Sequence, residues 1–221
     1  MLKIENTEVV GWEAAIRGMR NPMNSWDRSD SQTCTNCKGC LPGQECARYN
    51  NGTFIGPNDL DLMSRLRNAG TDHRKFMRMI TVYLDITAPL YWWKEADTYK
   101  VGTVANSCST MHKIHAKEFV IEDFSVEHLL AENTVCFGKT IERLNNARNK
   151  FLETKDEEYW WQMIQLLPSS YNQRRTVMLN YEVLANMYRS RRHHKLDEWH
   201  TFCDWIELLP YAELITGKEE K

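Results

Sequence analysis

Residues 76–87, FMRMITVYLDIT, set Phe76, Ile80, Val82, Leu84 and Ile86 at alternating positions with polar residues scattered between them. That two-residue period predicts a strand with one face in a core. Most other ordered stretches have helical spacing instead. PNDLDLMSRLRNAG opens on Pro57 and Asn58, places Leu60, Met63 and Leu66 on one face, and stops at Gly70. APLYWWKEADTY, SVEHLLAEN, TIERLNNARNKFLETKD and EEYWWQMIQLLP also read as helices, the last ending at Pro168. A strand or turn at RRTVMLN precedes two more helices, YEVLANMYRSRRHH and KLDEWHTFCDWIELLP. Residues 1–26 suggest a short strand and then a helix, WEAAIRGMRNPM, stopping at Gly18 or before Pro22. Strands embedded among more numerous helices predict an α+β, helix-rich chain.

The 221 residues are 42% hydrophobic, enough for a single domain spanning 1–221 with a substantial core. A formal net charge of -2 gives no global pull toward nucleic acid or an anionic membrane. Any anion site must therefore be local. The first residues lack a signal-peptide pattern, and no stretch approaches the apolar length of a membrane span, so a cytoplasmic protein is expected. In that compartment thiols stay reduced, which turns attention to metal binding for clustered cysteines. Residues 27–56 form such a Cys-rich loop or insertion. Cys34, Cys37, Cys40 and Cys46 within CTNCKGCLPGQEC could wrap a zinc ion or an iron–sulfur cluster. The first three follow the bacterial cluster spacing and the fourth does not; the alternative is a Gly, Pro and Asn-rich loop carrying reduced thiols.

Residues 97–111, DTYKVGTVANSCSTM, are poor core material and good anion-binding material. Gly102 permits close backbone approach, Lys100 supplies charge, and Thr103, Asn106, Ser107, Cys108 and Ser109 offer hydroxyl, amide or thiol groups and exposed N–H donors. The loop has neither P-loop nor Rossmann spacing, so a solvated connection is the competing reading. Further on, Asn180, Asn186, Arg191 and His194 lie along one helix and its end. They make a polar, cationic surface, although basic residues at a helix end also simply suit its dipole. Two tryptophan pairs, Trp92-Trp93 and Trp160-Trp161, fit a core or subunit interface.

In order and spacing, the chain resembles the flavin-dependent thymidylate synthases. Leu66-x-x-x-Gly70, a strand ending at Ala88-Pro89, the pair Lys94-Glu95 and the hydroxyl-rich loop follow the family's sequence of features. The family loop reads R-H-R-x-x-S-x-N-x-x-S-x-R. Here its R-H-R falls on Thr98, Tyr99 and Lys100, and its serines fall on Thr103 and Cys108. Its asparagine falls on Ala105, with Asn106 one place late, and its last arginine on Thr110. Leu167-Pro168 followed by Asn180, Asn186 and Arg191 matches the second anchor without a gap, and KLDEWHTFCDWI resembles the family's ending. GTDHRKF sets His73 where the family has a flavin-contacting histidine, and AAIRGMRNPMNS offers Arg20 and Ser25 as counterparts of an N-terminal segment.

The resemblance implies a central, mostly antiparallel sheet and a homotetramer. It also implies bound FAD and transfer of a one-carbon unit from methylenetetrahydrofolate to dUMP, giving dTMP with NADPH as reductant. By resemblance His73, Asn180 and Asn186 would contact the flavin, and Arg191 would face the pyrimidine as the catalytic residue. Lys100, Thr103, Asn106, Ser107, Cys108 and Ser109 would bind the substrate, the 103–109 backbone holding its phosphate. Lysine in place of arginine loses bidentate phosphate recognition, and Thr98 and Thr110 carry no charge. Arg174, Arg175 or Arg192 could compensate. A thiol at Cys108 could add to a pyrimidine, while a small buried thiol is the plainer fate of a cysteine. Two classes of function result. One is a flavoenzyme acting on a pyrimidine nucleotide. The other is a non-catalytic descendant that binds a nucleotide or a partner, with a structural metal at the Cys-rich loop.

Overall fold

The computed structural model describes residues 1–34 and 52–217. A mostly antiparallel four-stranded sheet has the order β1-β4-β6-β5, formed by β1 (Lys3–Val10), β4 (Thr81–Pro89), β5 (Val104–Ser107) and β6 (Asn172–Asn180). A small antiparallel ribbon joins β2 (Gln32–Thr33) to β3 (Thr53–Phe54), with Gln32 opposite Phe54. The helices are α1 (Trp12–Arg20), α2 (Pro57–Asn68), α3 (Leu90–Ala96), α4 (Ala131–Thr154), α5 (Glu157–Leu166), α6 (Tyr181–Arg191), α7 (Asp197–Glu207) and α8 (Glu213–Thr216).

The chain divides into two interleaved units. One comprises Met1–Glu5, Asp85–Thr98 and Ala105–Thr176; the other comprises Asn6–Leu84, Tyr99–Val104 and Val177–Lys221. The first has a core of Ile114, Phe119, Phe124, Leu144, Ala147 and Met163, into which α4 and α5 pack. Phe124 meets Phe137 edge to face, with ring centroids 5.2 Å apart. The second has its core around Trp12, Met63, Met77, Tyr181, Trp199 and Phe202, all at most 2% exposed. Here Trp12 meets Tyr181 edge to face at 5.2 Å.

Local chemistry explains the element boundaries. Gly11 precedes α1 with φ 97, where a Cβ would lie 2.0 Å from the Met79 carbonyl oxygen, so only glycine fits. α2 begins with Pro57, and its free Asn58 and Asp59 N–H groups donate to the Asp30 carboxylate at 2.9 and 3.1 Å. α5 is capped by Asp156, whose carboxylate accepts from the Glu158 N–H.

Three elements depart from the sequence reading. Phe76 is buried but precedes the strand, because residues Arg74–Met79 form a 3₁₀ helix and β4 starts at Thr81. SVEHLLAEN is not one helix: α4 starts at Ala131, and Leu129 and Leu130 are exposed. The hydroxyl-rich loop contains β5, whose four residues are all exposed and so show no apolar alternation. Among the described residues no helix is long and apolar enough to cross a membrane.

Candidate active site

β6 runs directly into α6, and the junction residue Asn180 is the N-cap of that helix. Its Oδ1 accepts from the Val183 N–H at 3.0 Å. Its Nδ2 donates to the carbonyls of Val101 and Gly102 at 3.0 and 3.2 Å. The Asn180 amide is therefore committed to backbone on both ends, and it pins the turn after Lys100 to the start of α6. Gly102, with φ 66, lies so close that a Cβ there would sit 3.0 Å from the Asn180 nitrogen. Lys100 itself is exposed on this turn, and the Thr103 hydroxyl donates to the Tyr99 carbonyl at 3.1 Å.

At the far end of α6, Arg191 is held by aromatic groups. Its Nε donates to the Tyr99 hydroxyl at 3.0 Å, and its guanidinium carbon lies 5.7 Å from the Tyr99 ring and 5.0 Å from the Trp199 ring. Tyr99 and Trp199 themselves meet edge to face at 6.3 Å. Trp199 is fully buried, so this side of the cage is fixed by the core. The motif arginine at the end of α6 thus has a defined direction supplied by a residue of the hydroxyl-rich segment.

Between these ends, Glu182 and Asn186 share a face of α6, four residues apart. Arg74 donates to both, from Nε to Glu182 at 3.4 Å and from Nη2 to the Asn186 side-chain oxygen at 3.2 Å. Arg78 pairs with the other Glu182 oxygen. The Glu182 side chain is 6% exposed, and the pairing raises Arg78 above its ordinary value through the hydrogen bond first and the Glu182 charge second. His73 precedes these arginines and is exposed. It lines a cavity of about 690 Å³ whose other walls include Met19, Met23, Leu66, Phe76 and Met79, with Asp72 and Lys75 beside it.

A second, polar pocket of about 570 Å³ lies beside Arg20 and Ser25, the other two matched residues of the N-terminal segment. Arg20 is buried, and it donates to the Asp59 carboxylate at 2.6 Å and to the Ser25 and Arg28 carbonyls, both at 3.1 Å. It is a structural arginine whose donors face the protein.

The candidates Asn106, Ser107, Cys108 and Ser109 belong to the other unit. Asn106, Ser107 and Cys108 are exposed. Cys108 is not the small buried thiol of the plainer reading; among the described residues the buried cysteine is Cys203. The Cys108 N–H donates to the Arg174 carbonyl at 2.9 Å, and its own carbonyl accepts from Gln173 at 2.7 Å. The Ser109 hydroxyl accepts the Met111 and His112 N–H groups at 3.2 and 2.9 Å, closing a local turn. Of the compensating arginines, Arg174 pairs with Asp85 at 2.8 Å. Arg175 pairs with Asp97 at 2.8 Å and stacks over Trp93 at 4.1 Å. Both cations already have acidic partners. Cys34 is described and partly buried, while Cys37, Cys40 and Cys46 lie outside the described residues.

No family model and no curated protein matches this sequence. Solved structures do match over essentially the whole chain. The Helicobacter pylori flavin-dependent thymidylate synthase ThyX, complexed with FAD and dUMP, superposes with a TM-score of 0.67, covering 99% of this chain and 100% of that one at 14% identity. A second structure of the same enzyme with FAD and dUMP gives 0.66, with 98% of each chain covered at 15% identity. The fold is that of the flavin-dependent thymidylate synthases.

Within this thymidylate synthase fold, the sequence spacing placed Asn180, Asn186 and Arg191 on one helix and missed their partners. Tyr99, Glu182, Arg74, Trp199 and the methionines of the cavity went unselected. Tyr99 and Trp199 carried a signal, since Tyr99 occupies the middle position of the replaced R-H-R and Trp199 lies in KLDEWHTFCDWI.

Proposed function

We propose that this protein is a flavin-dependent, thymidylate-synthase-like enzyme that transfers a one-carbon unit to a pyrimidine deoxynucleotide, converting dUMP to dTMP with methylenetetrahydrofolate and NADPH. The observation that carries the reading is the cage around Arg191, on a fold shared from end to end with an enzyme solved with FAD and dUMP. A pyrimidine carbonyl that gains enolate charge needs a cation fixed in direction beforehand, and the Tyr99 hydroxyl and Trp199 face supply that fixity. Lys100, on the same turn as Tyr99, is exposed and available to a phosphate. Asn180 holds that turn in place.

The residues of the 690 Å³ cavity fit a flavin. Leu66, Phe76, Met19 and Met79 give apolar, polarisable walls for a flat heteroaromatic ring, and His73 and Lys75 give a polar edge. FAD bound there supplies hydride chemistry. Asn186 acts at one remove in this reading, through Arg74. Exposed Asn106, Ser107, Cys108 and Ser109 are placed on the nucleotide by resemblance, as is the homotetramer.

A second reading is a non-catalytic protein of the same fold that binds a nucleotide or a partner. It is favoured by the Asn180 amide, whose hydrogen bonds go to the backbone of Val101, Gly102 and Val183, and by the lost motif arginines. In that reading the four cysteines would form a zinc or iron–sulfur clip. The deciding measurement is the anaerobic visible spectrum of the purified protein, before and after addition of NADPH and dUMP. A two-banded flavin spectrum that NADPH bleaches supports the enzyme, and a broad brown absorbance reports an iron–sulfur cluster. A colourless protein that takes up no added FAD overturns the flavoenzyme reading.

A further inference from the structure

The segment Arg74–Met79 is a 3₁₀ helix of six residues, longer than such helices usually run. At three residues per turn, positions three apart eclipse. His73, Phe76 and Met79 therefore stand in one row, and all three line the cavity. An α-helix over the same residues would rotate the row progressively, carrying Met79 away from the line of His73. The shape of this wall depends on the segment staying in its tighter form.

A tight helix of this length has poorer hydrogen-bond geometry than an α-helix and needs outside support. Its support is visible. Glu182, buried on α6, gives one carboxylate oxygen to Arg74 and the other to Arg78, so one side chain grips both ends of the segment. Asn186, one turn further along α6, takes a second donor of Arg74 at 3.2 Å. The segment ends where the Tyr181 N–H donates to the Ile80 carbonyl at 3.1 Å, again fastening it to the start of α6.

We propose that Glu182 is a positioning residue for the cavity: through Arg74 and Arg78 it holds the 3₁₀ segment in the form that aligns His73, Phe76 and Met79, and so sets the affinity of the cavity for its ligand. This assignment of affinity rests on the reading of the cavity as a flavin site. Glu182 is not itself among the residues that line the cavity.

The test uses the full chain with Glu182→Gln, which keeps the side-chain shape and removes the charge, and Arg78→Ala, which removes the outer half of the grip at a half-exposed position. FAD affinity is measured by fluorescence titration, the unfolding temperature by circular dichroism, and local opening by amide hydrogen exchange. Loss of a charge-assisted hydrogen bond predicts about a tenfold weaker FAD affinity in Glu182→Gln and a smaller change of the same sign in Arg78→Ala. Exchange should rise about tenfold across residues 73–80 while α1 and α7 keep their protection. Unchanged FAD affinity in Glu182→Gln overturns the proposal, and so does exchange that rises equally across the whole protein. If the unaltered protein binds no FAD, the flavin reading fails by itself. The exchange pattern then still decides the role of Glu182: a rise confined to 73–80 sustains it, and any other pattern overturns it.

Discussion

Replacing Asp59 by asparagine tests whether the N-terminal part of the larger unit is held by a single buried carboxylate. Asp59 is 0% exposed. One of its oxygens accepts from Arg20 Nε at 2.6 Å. The other accepts from the Ser29 hydroxyl at 2.7 Å, the Ser31 hydroxyl at 2.5 Å, and the N–H groups of Asp30 and Ser31 at 3.2 and 3.1 Å. Every contact is a donor, so an amide nitrogen in either orientation sets donor against donor and leaves the Arg20 guanidinium buried without a counter-charge. Removing one partner of a buried pair costs about 3–5 kcal/mol. For a chain of this size that lowers Tm by on the order of 10 °C. Burial by itself would raise the Asp59 carboxyl, but the hydrogen bonds from Ser31, Ser29 and Arg20 and the charge of Arg20 outweigh it and hold the group below its ordinary value. A lowered folded value means that this stabilisation is complete above the unfolded value near 4 and disappears as pH falls through the folded one. Asp59→Asn should therefore lower Tm at pH 7 and flatten the loss of stability on the acid side. Thermal melts by circular dichroism between pH 3 and pH 7 measure both. A variant that melts within about 2 °C of the parent at pH 7 would refute the argument, since that shift corresponds to under about 1 kcal/mol.

Two other outcomes are expected. Tyr99→Phe keeps the ring beside Trp199 and removes one hydrogen-bond acceptor of Arg191, so dUMP binding measured by calorimetry should weaken by about tenfold with Tm unchanged, and equal affinity would contradict the cage. Burial and the neighbouring Asp204 push the Cys203 thiol up to about 11, so in native protein at pH 8 iodoacetamide should label exposed Cys108 and Cys136 and spare Cys203 until denaturant is added, as read by peptide mapping.

The helices α1, α2, α6 and α7 were legible because each announces itself by apolar spacing with a stop or cap near its ends. β5 was not, because Val104–Ser107 is exposed throughout and no face is selected by a core. The 3₁₀ segment was hidden inside an alternating apolar pattern, since Phe76, Ile80 and Val82 are buried whichever backbone carries them. At the site, Asn180, Asn186 and Arg191 could be read because one helix orders them along the chain. Their partners could not: Arg191 meets Tyr99 across 92 positions, and Glu182 meets Arg78 and Arg74 across 104 and 108. Pairing over such separations is set by topology, which no local pattern records.

The interleaving of the two units bears on how such a molecule can be made and taken apart. Each draws on three separate stretches of chain, so no single proteolytic cut or truncation releases either as a contiguous piece. The last stretch of the larger unit carries α6 and α7, and with them Arg191 and the Trp199 that steadies it. During synthesis that unit must wait for its final third with apolar surface uncovered, and closing its long loops makes the folding step slow. A frameshift at the junction of β6 and α6 would thus remove the core residues of α6 and α7 together with Arg191 in one event, while a fragment stopping there is a natural client for a chaperone.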